Sequence, residues 1–290
     1  MQRLSDPAAD REELLKMFPP DQDYVFRMNY RRVEDPRAFL QSQGEGLLEE
    51  RGGILDAHPE RHAGLLPEGE HHFDSFAAYV ADHSGIDGSL LTSIRSEANP
   101  ANRVMALARL IEPDFAIIRA TRERAMRLVG GCVCFPSSWS PEEKMGKELS
   151  DIHAVVPGLN SHLGAKIGGA MVNMKPGSIG MRADWSLKKS TVLNHHPLQY
   201  LPLPDASATL ENSFIRVERQ MMVGLPEVAD ATRGIAFCIR YALYRVADMA
   251  ADPALREGVA RALATMPADV AAYKGLSTAR GPLAAALMRL

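Results

Sequence analysis

The 290-residue sequence lacks several features that would assign it to a class of protein at once. It has three cysteines, Cys132, Cys134 and Cys238, too few for the disulfide framework that holds small secreted domains together. Lysine and arginine number 33 against 36 aspartates and glutamates. The net charge of −3 therefore gives no electrostatic basis for binding nucleic acid or an anionic membrane.

Long apolar runs are also missing from the chain. No run approaches the roughly eighteen residues that a membrane-spanning helix needs, and the polar first ten residues do not resemble a signal peptide. The sequence therefore predicts a cytoplasmic protein without a membrane contact. Small molecules or other proteins are its expected partners.

Motifs for the common cofactors do not occur either. The chain has no glycine fingerprint for dinucleotides, no Walker loop, no Gly-x-Ser-x-Gly elbow and no His-Glu-x-x-His pair. Histidines cluster in His58-Pro-Glu-Arg-His62 and in His71-His72, and imidazoles are common zinc ligands. Pro59 disfavours a regular helix that could present such ligands, and no thiols accompany them, so the pattern argues against zinc.

Cys132 and Cys134 are predicted to lie on one strand, where their spacing points both thiols to the same face. One interpretation is a metal or thiolate-haem site. The other is a pair of small core residues, which free cysteines usually are. The absence of a second cysteine pair favours the core.

The most unusual stretch that is present reads Arg216-Val-Glu-Arg-Gln220. Apolar Ile215 and Val217 alternate with polar side chains, which predicts a strand. Three ionisable residues in four are costly in a strand unless they pair or meet a charged ligand. Either a solvated edge strand with salt bridges or the wall of a charged-ligand site would explain the pattern.

The order of predicted elements is helices, then about five strands with one helix inserted, then helices to the end. Strands are expected at 115–118, 125–135, 178–187, 215–220 and 234–244, the inserted helix at 160–173, and a surface excursion at 44–69. This order predicts an α+β fold with an antiparallel sheet. Residues 1–100 are expected to form a helical region packing on a core formed by residues 101–290, in one compact unit.

The two strands that follow residue 212 are predicted to form a hairpin. If they pair antiparallel, Arg240 is expected on the same sheet face as Arg216 and Glu218. His153 lies among apolar residues ahead of a Pro-Gly break, which predicts a partly buried position beside the core.

Several blocks of sequence between about residues 100 and 280 resemble one family when taken together. They are Cys134-Phe-Pro-Ser-Ser-Trp139, Lys144-Met-Gly146, Ile152-His-Ala-Val-Val-Pro-Gly158 with Asn160, Arg182-x-x-Trp185-Ser186, Arg216-Val-Glu-Arg-Gln220 with Leu225-Pro226, Ile239-Arg240, Met266-Pro-x-x-Val270 and Tyr273-Lys-Gly-Leu276. Their order and spacing resemble the haem-dependent oxidative N-demethylase alpha-subunit family.

The resemblance implies a PAS-like antiparallel sheet that binds haem b. It implies a monooxygenase that uses O₂ to remove a methyl group from a small secondary amine, with electrons from a separate reductase protein. His153 matches the Ile-His-x-x-Val-Pro position and is the implied ligand of the haem iron. His195 and His196 are the next candidates for that role.

The resemblance also implies roles for the charged side chains. Guanidinium groups suit the carboxylates of haem propionates, and alternation allows only one of Arg216 and Arg219 to face the haem. The residues expected to bind the cofactor are His153, Arg216, Arg219, Arg240, Arg182 and Trp185. Glu218 and Asp184 are the expected catalytic carboxylates, holding an ammonium substrate or relaying protons; an arginine–carboxylate network is the alternative.

Two positions depart from the family pattern. Asp184 occupies a position where the family usually has asparagine, and Tyr241 one where it usually has threonine. Because of these departures, the sequence does not identify the substrate. It does not identify the reductase or the oligomeric state either. A non-catalytic haem-binding sensor or carrier of a diatomic gas, and a fold that has lost its haem, are the other interpretations.

Overall fold

The computed structural model describes residues 4–25, 31–32, 35–42, 45–123, 125–156, 171, 173–228 and 232–290. Seven helices precede the main strands: α1 Arg11–Met17, α2 Arg37–Leu40, α3 Glu45–Ala57, α4 Pro59–His62, α5 Glu70–Ser84, α6 Gly88–Ser96 and α7 Pro100–Ala108. Two short ones follow, α8 Pro141–Lys144 and α9 Leu149–Ile152. The chain ends with α10 Val246–Ala250, α11 Pro253–Thr265, α12 Ala268–Tyr273 and α13 Arg280–Met288.

One antiparallel sheet connects these helices. Its strands are β1 Arg31–Arg32, β2 Ala63–Leu65, β3 Asp114–Ala120, β4 Met126–Cys132, β5 Ile179–Lys188, β6 Phe214–Glu227 and β7 Arg233–Arg245, in the order β1-β5-β6-β7-β3-β4-β2. The predicted α+β class, with helices before and after the sheet, is confirmed. The likeness to PAS domains remains an implication of the sequence resemblance.

Local sequence explains where the helices begin and end. In α7 the side chain of Asn99 accepts hydrogen bonds from the backbone N–H groups of Ala101 and Asn102, and Pro100 occupies the first turn, where its missing N–H costs nothing. Helix α5 ends at Gly85, whose φ of +76° suits a residue without a Cβ. Both helices precede the main strands, as the predicted order of elements requires.

Gly131 in β4 lies in close contact with the neighbouring strand β3. The register between β3 and β4 shifts between Ile117 and Ile118, which is a bulge. Gly131 has a φ of +138°, and a Cβ there would lie 2.3 Å from the carbonyl oxygen of Phe115. A side chain at this position would therefore collide with the neighbouring strand.

The predicted surface excursion at residues 44–69 is wrong, because most of this stretch is ordered secondary structure. Helix α3 fills half of it, and β2 pairs with β4. Its arginine, Arg51, is fully buried and pairs with Asp114. Composition misled the prediction, since Glu49 and Gly53 are exposed on a helix whose Leu55 packs into the core.

The predicted position of Arg240 is also wrong. The register of β6 with β7 places Arg240 opposite Arg219 and places Tyr241 opposite Glu218. Directly paired residues in antiparallel strands share a face, so Arg240 lies on the face away from Glu218. The helix predicted at residues 160–173 falls almost wholly outside the described residues.

The two faces of the sheet are covered differently. Helices cover one face, against which the following strand residues pack: Ile215, Val217, Met221, Val223, Ala236, Cys238, Ala242 and Tyr244. The opposite face is covered by residues 133–156 and by the region around α12, and it carries the cavity described below. Among the described helices, none is long and apolar enough to cross a membrane.

Candidate functional site

A cavity of about 910 Å³ lies against this second face of the sheet. Its volume is in the upper part of the range of about 300–1,000 Å³ that is usual for small-molecule sites. One part is apolar, lined by Ala116, Ile118, Leu128, Val133, Trp139, Leu149, Ile152, Val156, Met171, Met174, Met222, Phe237 and Ile239. The other part is polar, lined by Ser138, His153, Arg182, Asp184, Ser186, Lys188, Glu218, Gln220 and Lys274.

His153 lies at the end of α9 with its side chain half-buried at the cavity wall. Burial, and secondarily the charge of Arg182, lower its pKa below the usual value of 6.5. Within the described part of the chain, no hydrogen bond to its ring nitrogens is found. A neutral imidazole at a cavity wall can coordinate a metal ion that is part of a molecule bound in the cavity.

Two carboxylates face each other across the β5–β6 pair. Asp184 is directly opposite Glu218, and Arg182 is directly opposite Gln220. Like charges in this arrangement repel, and hydrogen bonds link the other two side chains to Glu218 in a row. Arg182 Nε donates to Gln220 Oε1 at 2.5 Å, and Gln220 Nε2 donates to Glu218 Oε2 at 3.1 Å. The predicted charged wall of a pocket is therefore present at this point of the sheet.

Lys274 provides the cation beside Asp184. Its Nζ lies 3.3 Å from Asp184 Oδ1 and donates to the carbonyl oxygen of Trp185 at 2.6 Å. Burial raises the pKa of Asp184, but the charges of Lys274 and Arg182 outweigh it and hold the pKa below its ordinary value. The side chain is 46% exposed, so Asp184 is an ionised carboxylate that water can reach.

Trp185 borders the same cavity but packs mostly on the other side of the sheet edge. Its ring contacts Phe18 at 4.9 Å and Tyr24 at 6.3 Å between centroids. The ammonium of Lys274 lies 5.3 Å from the centre of its ring, a favourable cation–π distance. The side chain thus connects α1 to the polar end of the cavity.

Arg216 shares the sheet face of the cavity but does not line it. Its side chain is fully buried, donates to the carbonyl oxygens of Leu193 and Phe135, and lies 4.3 Å from the ring centre of Tyr241. Its Nε is 3.6 Å from Glu218 Oε1. The guanidinium is therefore held within the protein interior and is one of the groups that neutralise Glu218.

Arg219 and Arg240 lie on the helix-covered face, as the register requires. Arg219 Nε donates to Glu13 at 2.7 Å, and its Nη2 lies 2.9 Å from Asp10. Burial lowers the pKa of Arg219, but Tyr244, Glu13 and Asp10 reverse this and raise it. Arg240 donates to the carbonyl oxygen of Ala38 at 2.5 Å. Both guanidiniums hold helices or N-terminal segments against the sheet, away from the cavity.

Sequence reasoning missed Lys188 and Lys274 as residues of the cavity. Lys188 follows Arg182, Asp184 and Ser186 at the two-residue spacing of a strand face, so alternation alone could have identified it. Lys274 directly follows the short helix α12 and reaches β5 from a distant part of the chain. No local pattern indicates that contact.

The cysteine pair is part of the core. Cys132 and Cys134 are both fully buried, with their sulfurs 3.7 Å apart, and burial raises the pKa of Cys134. This confirms the core interpretation. Among the residues that the structure describes, no three His, Cys, Asp or Glu side chains form a group that could hold a bare metal ion.

The remaining candidate histidines lie outside the cavity lining. His195 is buried behind it, and His196 Nε2 lies 3.0 Å from Glu142 Oε1 while its Nδ1 accepts from the backbone N–H of Leu198. Of the three histidines considered as ligands, His153 is therefore the one at the cavity wall.

The arrangement suits a ligand with a broad apolar body, an acidic group at one end and a Lewis-acidic atom. The apolar part of the cavity would bury the apolar body of the ligand, and the cations would bind its acidic group. His153 could coordinate its Lewis-acidic atom. In a comparison with known families, a model described as haem-dependent oxidative N-demethylase, alpha subunit-like, matches residues 49–284. Every residue that lines the cavity lies within the match.

Proposed function

Because the chain belongs to the haem-dependent oxidative N-demethylase alpha-subunit-like family, we propose that it is a monooxygenase that binds haem b and removes a methyl group from a small secondary amine. The observation that carries this proposal is the amphipathic cavity with His153 in its wall. A haem has the same division, since its ring is apolar and its two propionates are anionic.

The residues present fit such a group. His153 would ligate the iron, since its lowered pKa keeps the imidazole neutral and able to coordinate at neutral pH. The described cations that line the cavity are Lys144, Arg182, Lys188 and Lys274. Of these, the proposal assigns Arg182 and Lys274 to the propionates. Arg216, Arg219 and Arg240 are committed to other partners, so the proposal gives them structural roles.

Bound haem supplies the activation of O₂, and the protein supplies binding, orientation and protons. The overall change is balanced when the amine, O₂, two electrons and two protons give the demethylated amine, formaldehyde and water. In this proposal Glu218 and Asp184 hold the ammonium form of the substrate and move protons at their carboxylate oxygens. The apolar wall would keep bulk water from the reacting methyl group.

The two electrons come in this proposal from a separate reductase protein. The sequence contains no flavin or iron–sulfur motif, which supports an external source. The family description of an alpha subunit is also consistent with a multi-component system.

The proposal is tested by supplying haem to the purified protein and to His153→Ala. We expect a Soret band in the wild type and, in the variant, an altered spectrum with affinity lower by at least about tenfold, because even outer-shell partners of metal ligands are worth that much. His71→Ala, at an exposed position on α5, is the matched control. A wild-type spectrum in His153→Ala would contradict the ligand assignment.

Activity is tested separately with a surrogate reductase and a panel of methylated amines. Oxygen-dependent loss of an amine with release of formaldehyde would support the monooxygenase. A stable complex with O₂ and no turnover of any amine would instead indicate a sensor or carrier. The absence of a Soret band in the wild type would contradict both.

A further inference from the structure

Lys188 is a buried lysine inside the cavity. It is the last residue of β5, its relative exposure is 8%, and it lines the cavity together with Ser138. Its Nζ lies 3.3 Å from Ser138 Oγ. Among the described residues no carboxylate forms an ion pair with it. A lysine is rarely buried in this way without a carboxylate partner.

The groups around Lys188 favour its neutral form. Burial lowers its pKa first, the cations Arg216 on β6 and Lys274 beyond α12 lower it further, and Glu218 on β6 raises it only in part. The resulting pKa is about 8. The neighbouring His195 is itself kept neutral by burial and by Lys188 and Arg216. Desolvation beside other cations is the environment that activates catalytic lysines as nucleophiles.

Lys189 provides a contrast within the same chain. It follows Lys188 directly but points to the other side of the strand, where its Nζ lies 3.1 Å from Asp205 Oδ1 and 2.7 Å from Ser207 Oγ. Two adjacent lysines thus differ in burial, pairing and access to the cavity. A reaction that needs a neutral amine would distinguish them.

We propose that Lys188 is a carbonyl-reactive lysine that captures a small aldehyde in the cavity as an imine. The site itself follows from the geometry, whereas the source of the aldehyde rests on the proposed function, because demethylation of an amine releases formaldehyde inside this cavity. Lys188 would then retain the aldehyde until an acceptor outside the protein takes it.

The reaction is balanced without an oxidant or reductant. The lone pair of Nζ attacks the carbonyl carbon, a C–N bond forms, and the C=O π electrons pass to oxygen. The oxygen then takes both protons of the amine, one after the attack and one as the C=N bond forms, and it leaves as water. Hydrolysis reverses both steps and returns the free lysine and the aldehyde.

The test uses the full-length protein, limiting formaldehyde and cyanoborohydride at pH 7, with no amine substrate or reductase. Cyanoborohydride reduces the imine to N-methyl-lysine, which peptide mass spectrometry locates after digestion with a protease that does not cleave at lysine. At pH 7 an amine with a pKa of about 8 is neutral in about one molecule in ten, against about one in 2,500 for an ordinary lysine.

We expect methylation of Lys188 to exceed that of Lys189 by at least about tenfold. Lys188→Arg should abolish the dominant mark, and Lys189→Arg should leave it unchanged. The preference should persist after haem is supplied and disappear in urea, where both lysines are exposed. Equal labelling, a preference that survives in urea, or protection by haem would each overturn the proposal. None of these outcomes depends on whether the protein demethylates amines.

Discussion

One face of the central sheet is filled along part of its length and open along the rest. In the filled part, the side chains of Arg51, Phe135, Tyr241 and Arg216 stack on one another beside the buried carboxylate of Asp114. In the open part, the same strands present charged side chains to a cavity of about 910 Å³.

The difference lies in how far the protein encloses the charged groups, since Arg51 and Asp114 are fully buried whereas Asp184 is 46% exposed. Asp114 accepts hydrogen bonds from Arg51 Nη2 at 3.2 Å, the backbone N–H of Phe135 at 2.8 Å and the Tyr241 hydroxyl at 2.9 Å. In the cavity, the buried hydroxyl of Ser186 has no hydrogen-bond partner among the described residues. The filled part therefore contributes to stability, and the open part retains capacity for a ligand.

The largest expected effect comes from breaking the filled part. Asp114→Ala should lower the free energy of unfolding by about 3–5 kcal/mol, because it leaves the buried guanidinium of Arg51 without its counter-charge. Urea denaturation measures the change. Asp56→Ala is the matched control, since it removes an exposed pair with Arg109 at 2.6 Å that is worth about 0–1 kcal/mol. Equal losses in the two variants would contradict the assignment of the filled part to stability.

The fold was largely accessible from sequence because its signals are local. Alternation of apolar and polar residues predicted β6, and the strands expected at 178–187 and 234–244 correspond to β5 and β7. Helix α3 was missed because its core contacts, above all the pairing of Arg51 with Asp114, join residues far apart in the chain. A charged residue in a predicted helix is assigned to the exposed side unless a buried partner for it is known.

The site was accessible only in part for the same reason. Family resemblance selected His153, Arg182, Asp184 and Glu218, all of which line the cavity. It did not show that Arg216 donates its hydrogen bonds to two backbone carbonyl oxygens, because those contacts depend on where two loops meet the sheet. Nor did it identify Lys188, whose significance depends on its burial without an ion-pair partner among the described residues and not on a motif.

A smaller effect is expected from comparing one arginine in each part. Arg216→Lys should lower the free energy of unfolding by about 1.5–3 kcal/mol, because a single ammonium cannot reach both carbonyl oxygens that the guanidinium fork satisfies. Arg182→Lys, in the water-accessible part, should change it by no more than about 0.5 kcal/mol. Thermal and urea unfolding of both variants measure this. A larger loss for Arg182→Lys would show that the cavity wall is itself a structural element.

The smallest effect concerns His195, which lies at the boundary between the two parts. Its backbone bonds to Pro136 and Ser138, and burial, Lys188 and Arg216 lower its pKa to about 3. Below pH 6.5 the unfolded chain binds a proton there that the folded protein does not, so stability falls as the pH falls from about 6.5 towards 3. The slope is about 1.4 kcal/mol per pH unit.

His195→Gln should remove this slope, so that between pH 6.5 and pH 5 the variant loses up to about 2 kcal/mol less stability than the wild type. Urea denaturation at the two pH values measures the difference. His58→Gln, at a half-exposed position, should follow the wild type and thereby separate burial from the mere loss of a histidine. The same pH dependence in His195→Gln and the wild type would mean that His195 accepts a proton in the folded state. The boundary would then be as accessible to water as the cavity is.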